Sequence, residues 1–130
     1  MIPVVFINCH LFPFVALILR RLKLYETRTR NTLRSLIGQR VILAETGRGA
    51  PLARCMVTIG DPLVARNREA WDACRKWTCI DDDSPYNWTD DTKVKYMYPL
   101  YDIQPLQPFR VPEGIRHGRV WMEYTQEVTA

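Results

Sequence analysis

The segment LKLYETRTR, residues 22–30, follows the most apolar part of the chain and carries four charged side chains. From Leu24 onward, the alternation of a β-strand would place Glu26, Arg28 and Arg30 on one face. One carboxylate and two guanidinium groups on a strand face form either a structural ion-pair ladder or the floor of a polar site. Both interpretations remain open at the level of sequence.

The spacing of Lys23, Glu26 and Arg28 is the K-x-x-E-x-R pattern of the ASCH domain. This family of small β-barrels belongs to the PUA-like superfamily, and the chain resembles it at this motif. One departure concerns the residue two positions before the lysine. The family usually has glycine there, whereas this chain has Arg21.

Two further segments carry the same resemblance. Pro13 and Phe14 lie ten and nine residues before the motif lysine, where the family has proline followed by an aromatic residue at the start of a helix. Phe12 departs from the glutamine that often precedes this proline. The run from residue 98 to 112 is similar to the closing segment of the family. The resemblance therefore touches most of the chain, in family order.

Strand and turn signals recur at short intervals along the 130 residues, a length that suits one domain spanning residues 1–130. Strands are predicted at residues 3–7, 24–30, 40–46, 52–59, 95–103 and 119–124, and helices at 12–22 and 67–77. Pro99 is expected to force an edge position or a bulge. This pattern predicts an α+β or mainly β fold, a small barrel of about six strands with two main helices. The resemblance implies the PUA-like barrel.

Six side chains on these strands are expected to meet in a single core. They are Val4, Phe6, Val41, Leu43, Met56 and Trp121.

Positive charge is concentrated in the first part of the chain. Residues 1–54 contain nine Lys/Arg and two Asp/Glu, hence +7, whereas residues 55–130 contain nine and twelve, hence −3. A polyanionic partner at the basic half is compatible with this asymmetry. The acidic run from Asp81 to Asp91 has no EF-hand spacing, so a solvated or helix-capping loop is favoured over a cation site.

Four cysteines and two histidines lack the spacing of a zinc site, and no metal or cofactor is predicted. The thiols are expected to be reduced, as in a cytoplasmic protein. The apolar start of the chain is interrupted by Asn8, His10 and Pro13, and its longest clean run is too short to cross a bilayer. No membrane association is therefore expected.

The motif residues suit an anion. Arginine binds a phosphate through two parallel hydrogen bonds, and lysine adds a flexible positive charge. A glutamate beside them can accept hydrogen bonds from a base edge or a ribose hydroxyl. Later tyrosines are candidates for stacking on bases. ASCH-like domains are associated with RNA binding, so the resemblance implies an RNA or nucleotide-like ligand in a basic cleft. The predicted binding residues are Lys23, Glu26, Arg28, Arg30, Tyr98 and Tyr101.

Some members of the family are enzymes, which implies an alternative. One branch removes the acetyl group from acetylated cytidine with the motif lysine, a threonine at the third position after it and a later glutamate. Here Lys23 is present, but the third position is Glu26, and Thr27 is expected on the opposite strand face. Glu69 or Asp72 would stand for the later acid. Other members are reported as ribonucleases, for which Lys23, Glu26 and Arg28 would serve as base or phosphate clamp. The catalytic candidates are therefore Lys23, Glu26 and Glu69.

A third possibility is an interaction domain whose basic half meets a protein partner without a small ligand. The oligomeric state is not predicted.

Overall fold

A computed structural model describes residues 2–111 and the backbone of residues 121 and 122. It contains one curved β-sheet and two short α-helices. The strands are β1 (Ile2–Asn8), β2 (Tyr25–Arg28), β3 (Arg40–Thr46), β4 (Leu52–Ile59), β5 (Leu63–Ala65), β6 (Lys95–Arg110) and β7 (Trp121–Met122), and the helices are α1 (Phe14–Leu19) and α2 (Arg68–Cys74). The predicted small α+β barrel of about six strands with two helices is confirmed.

The strand order is β2-β6-β4-β3-β1-β7, with β5 also paired to β6. Only β1 and β3 run parallel, whereas the other pairs are antiparallel. The order places β2 at one end of the sheet and β1 near the other end. Because the sheet curls, these two strands face each other across a seam, and the seam positions the site described below.

Strand β6 is an interior strand that continues to Arg110, beyond the predicted end at residue 103, and the edge position expected as one alternative for Pro99 is wrong. It pairs with β4 on one side and with β2 and β5 on the other. Pro99 has no N–H to donate, and its carbonyl accepts a 2.8 Å hydrogen bond from the amide of Gly60. The predicted bulge lies just beyond, where the register against β4 shifts between Met56 and Thr58 and Asp102 adopts a φ of +50°.

The expected single core is divided in two, because the sheet buries apolar side chains on both faces. Val41 and Leu43 belong to the larger cluster, which also contains residues from both helices. Val4 and Met56 belong to a smaller cluster, with the half-buried Phe6 packed against it. The side chain of Trp121 lies outside the described residues. The prediction of one core was therefore wrong, although Val4, Val41, Leu43 and Met56 are all buried.

Both helices are shorter than predicted. Helix α1 ends at Leu19 instead of residue 22, because Arg21 adopts a left-handed conformation with a φ of +59°. Helix α2 begins as expected after Asn67, whose side chain accepts a 2.8 Å hydrogen bond from the amide of Ala70. It changes at residue 75 into a short 3₁₀-helix that ends at Thr78. In the described part of the chain, neither helix has the length and apolar character needed to cross a bilayer.

The acidic segment forms an ordered, turn-rich loop between the 3₁₀-helix and β6. Asn87 organises it: its side-chain amide donates to the carbonyl of Asp82 at 3.0 Å, and its side-chain oxygen accepts from the indole of Trp71 at 2.7 Å. In the described residues, no cluster of three or more Asp, Glu, His and Cys side chains is arranged to hold a metal ion.

A candidate nucleotide-binding cleft at the seam of the sheet

The cleft between β1 and β2 has a volume of about 300 Å³. It is bounded by the ends of two strands, the start of α1 and the ordered loop before β6. Its lining residues are Phe6, Ile7, Asn8, Phe14, Lys23, Glu26, Thr27, Arg28, Thr46, Ile80 and Tyr86. All three residues of the K-x-x-E-x-R pattern therefore lie in one cleft.

Lys23 is buried at the base of the cleft, with 1% of its surface exposed. The left-handed Arg21 turns the chain after α1, so that the amides of Leu22 and Lys23 both donate to the carbonyl of Leu17, at 3.0 and 3.2 Å. This turn directs the lysine inward. Its ammonium donates a 2.7 Å hydrogen bond to the carbonyl of Thr78.

The charge of Lys23 is costly at this position. Burial lowers its pKa from the ordinary value of 10.5, and the nearby carboxylate of Glu26 opposes this shift. The ammonium also lies 4.6 Å from the centroid of the Phe14 ring, a cation–π contact. Although Lys23 comes soon after the end of α1, it is not a solvent-facing cation, because the turn at Arg21 redirects the chain into the interior.

Glu26 and Arg28 lie on the same face of β2, as alternation predicted, and their charged groups are 3.5 Å apart. Glu26 is buried, and one carboxylate oxygen accepts a 3.0 Å hydrogen bond from the amide of Thr27. The side chain of Arg28 is 24% exposed. The glutamate thus neutralises and orients an arginine that still reaches the cleft surface.

Aromatic rings form the opposite wall of the cleft. The centroids of Phe14 and Tyr86 are 5.9 Å apart, and Phe12 packs within 6.0 Å of both. Tyr86 keeps 37% of its surface exposed. Its backbone is held by Lys95, whose ammonium donates a 2.7 Å hydrogen bond to the Tyr86 carbonyl. The wall is therefore anchored and yet presents a partly exposed ring.

Four other predicted site residues lie elsewhere. Arg30 follows the end of β2 and lines a separate cavity with Lys93. Tyr98 is fully buried, and its hydroxyl is engaged with the side chain of Asn31 and the amide of Leu33. Tyr101 is 55% exposed but does not line the cleft.

The candidate acid Glu69 is exposed in the first turn of α2, and it does not line the cleft either. None of Arg30, Tyr98, Tyr101 and Glu69 thus lines the cleft, although Tyr98 lies directly across from Glu26 in the register of β2 and β6. Sequence spacing alone carried no information about how these elements pack.

Asn8 and Thr46 line the cleft but were missed at the sequence level as site residues. They are paired in register at the ends of the parallel strands β1 and β3. The available signal was the change from apolar to polar residues at each strand end: Asn8 directly follows an apolar run, and Thr46 follows one after Glu45. Tyr86 was considered only as one of several aromatic residues able to stack on a base.

The chain was compared with known proteins by sequence and by structure. No family model matches it, and no curated protein sequence matches it. Solved structures do match: the ASCH protein of Zymomonas mobilis has a TM-score of 0.68 and 17% identity, over 83% of this chain and 72% of that chain. A serine-to-alanine variant of that protein has a TM-score of 0.67 and 18% identity, over 82% of this chain and 72% of that chain. A tyrosine-to-phenylalanine variant has a TM-score of 0.68 and 18% identity, over 83% of this chain and 74% of that chain. The chain therefore has the fold of an ASCH domain.

Proposed function

We propose that this chain, which has the ASCH fold, is an RNA- or nucleotide-binding domain and that the seam cleft holds the ligand. The observation that carries the proposal is the pairing of two kinds of wall. One wall presents the guanidinium of Arg28, and the other presents the aromatic rings of Phe14 and Tyr86. A nucleotide has a charged phosphate and a flat base, which these two walls complement.

The size and charge of the cleft support the same ligand class. A volume of about 300 Å³ is at the lower end for small-molecule sites and suits one nucleotide unit. Glu26 compensates part of the positive charge and offers an acceptor for an amino group on a base edge. The excess of +7 in residues 1–54 extends an attractive field for a polyanion beyond the cleft.

The test is the salt dependence of RNA binding. Fluorescence anisotropy with a short single-stranded RNA would be measured at several salt concentrations for the wild type, Arg28→Ala and Arg66→Ala. Arg66 is exposed and lines none of the cavities described here, so it is the matched control.

Loss of one phosphate contact lowers the slope of log affinity against log salt by about 0.7. We expect this decrease for Arg28→Ala and none for Arg66→Ala. A slope near zero for the wild type would reject nucleic-acid binding and favour the interaction domain without a small ligand.

A second candidate is an enzyme acting on RNA or a modified nucleoside. It is favoured by one observation: burial lowers the pKa of Lys23, which brings the lysine nearer to the range of a general base. Thr27 also contributes to the lining of the cleft, although strand alternation placed its side chain on the far face.

This candidate is tested by turnover. The wild-type protein and a Lys23→Arg variant would be incubated with acetylated cytidine and with RNA, and released acetate and cleaved RNA would be measured. We expect no acetate release by the wild-type protein. Release that disappears in Lys23→Arg would replace the binding domain with an enzyme.

A further inference from the structure

A second cavity, of about 170 Å³, lies beyond the ends of β1 and β3 and shares Thr46 with the seam cleft. Cys9, which follows Asn8 of the cleft, also lines it. The two cavities therefore adjoin at the end of β3. A ligand longer than one nucleotide that fills the cleft would extend toward this second cavity at Thr46.

The charge of the second cavity is positive. Arg48 and Arg110 line it, and Glu45 is its carboxylate. That carboxylate is already paired with Arg54, at a distance of 2.5 Å. Within residues 2–111, no carboxylate pairs with Arg48 or Arg110, so the cavity has two positive charges in excess.

Arg48 lies in the turn between β3 and β4, and Arg110 is hydrogen-bonded to the same turn. One terminal nitrogen of the Arg110 guanidinium donates a 2.5 Å hydrogen bond to the carbonyl of Ala50. Gly47, directly before Arg48, has a φ of +109°, and a β-carbon there would lie 2.7 Å from that of His10. The glycine therefore lets the turn pack closely on residue 10, while the amide of Cys9 donates to the Thr46 carbonyl at 2.9 Å.

We propose that Arg48 and Arg110 form a phosphate subsite that continues the seam cleft. A guanidinium with one nitrogen engaged still has donors for a phosphate oxygen, and two such groups suit a phosphate better than a lone lysine does. The inference rests on the proposed function and adds to it the class of ligand. The base and the phosphate at Arg28 occupy the cleft, and a further phosphate of the same ligand lies beside Arg48 and Arg110.

The further phosphate belongs either to a nucleoside diphosphate or to the backbone of an RNA chain, and both present the same oxygens. Affinities would be measured by isothermal titration calorimetry for a nucleoside, its 5′-monophosphate, its 5′-diphosphate and a short oligoribonucleotide. The proteins would be the wild type, Arg48→Gln, the double variant Arg48→Gln/Arg110→Gln, and Arg66→Gln as the control. Melting temperatures would show which variants are folded.

We expect the double variant to lose about tenfold or more in affinity for the diphosphate and the oligoribonucleotide, with nucleoside and monophosphate affinities unchanged. The salt slope for the oligoribonucleotide should fall by about 0.7, the value for loss of one phosphate contact. Tighter binding of the diphosphate than of the monophosphate assigns the subsite to a nucleoside diphosphate, whereas a gain for the oligoribonucleotide alone assigns it to an RNA backbone. If Arg110→Gln impairs folding, the affinity and slope of Arg48→Gln decide, with a smaller change expected in each.

Failure of this inference is distinguishable from failure of the proposed function. Unchanged affinity and slope in the double variant, together with weaker binding by Arg28→Ala, would overturn the subsite and keep the cleft. Affinities for the diphosphate and the oligoribonucleotide no higher than that for the monophosphate would also overturn the subsite. If Arg28→Ala has no effect either, both proposals are rejected.

Discussion

The guanidinium of Arg28 donates a 3.2 Å hydrogen bond to the backbone carbonyl of Phe6 and so connects β2 with β1. These strands are not paired with each other in the described sheet. The same guanidinium lies 3.5 Å from the carboxylate of Glu26 and lines the cleft. The ion-pair ladder and the floor of a polar site, which the sequence left as alternatives, do not exclude each other, because one ion pair both links the strands and lines the cleft.

Removing Glu26 should destabilise the fold. We expect Glu26→Ala to lower the free energy of unfolding by about 2 kcal/mol, less than the ~3–5 kcal/mol of a fully buried pair because Arg28 is partly exposed. Glu26→Gln keeps an acceptor for the amide of Thr27 and should cost about half as much. Urea denaturation measures both values. An alanine variant as stable as the wild type would show that the pair contributes nothing to the seam.

Lys23 should also contribute to the stability of the fold, because its side chain is buried. Lys23→Ala removes a fully buried aliphatic chain beside Phe14 and leaves the carbonyl of Thr78 without its donor. We expect a loss of about 2–3 kcal/mol. A melting temperature equal to that of the wild type would mean that the lysine is solvated in solution.

The pH dependence of stability should report the burial of Lys23. The unfolded state keeps the lysine proton up to a pH near 10.5, whereas the folded state releases it at a lower pH. Between these two pKa values the unfolded state binds more protons, so the contribution of Lys23 rises with pH. Below this pH range the buried charge of Lys23 destabilises the folded state by its full free-energy cost. Above pH 10.5 the lysine is neutral in both states, and this cost is absent.

Lys23→Met lacks this contribution, so its stability should rise less, or fall more, with pH in the same window. The difference in slope is at most about 1.4 kcal/mol per pH unit. The thiol of Cys55, whose pKa burial raises to about 12, acts in the opposite sense in both proteins and cancels in the comparison. Urea denaturation of both proteins between pH 8 and about 10.5 measures the slopes. Parallel curves would contradict the lowered pKa of Lys23.

Local patterns predicted the strands more reliably than the site. The bounds of β3 and β4 match the prediction because each strand is a regular run of apolar and β-branched residues, separated by a glycine-containing turn. The burial of Lys23 depends on Thr78, a residue 55 positions away. The burial of Tyr98 depends on its place in a central strand with neighbours on both sides. The burial of neither side chain can be predicted from the residues next to it in the sequence.

The two exposed tyrosines should differ in their effect on RNA binding. Tyr86 lines the cleft, whereas Tyr101, which is more exposed, does not. If Tyr86 stacks on a base, Tyr86→Ala should weaken binding by about 1–3 kcal/mol, and Tyr101→Ala should leave the affinity unchanged. The anisotropy assay used for Arg28 measures both. A greater loss of affinity in Tyr101→Ala than in Tyr86→Ala would indicate that the ligand binds near Tyr101 on β6 and not in the cleft.

Arg21 stands where the resemblance to the ASCH family implies glycine, and its backbone has the left-handed conformation, with a φ of +59°, that glycine adopts without cost. The guanidinium offsets this cost by donating to the carbonyls of Leu19 and Ile103, at 2.6 and 3.0 Å. Arg21→Ala loses both hydrogen bonds and keeps the strained backbone, so it should be the least stable form. Arg21→Gly loses the same bonds but relieves the strain, and we expect it to be about 1 kcal/mol more stable than Arg21→Ala. Thermal and urea denaturation of the two variants measure this difference directly. Equal stabilities would show that the turn before Lys23 does not need a left-handed residue in solution.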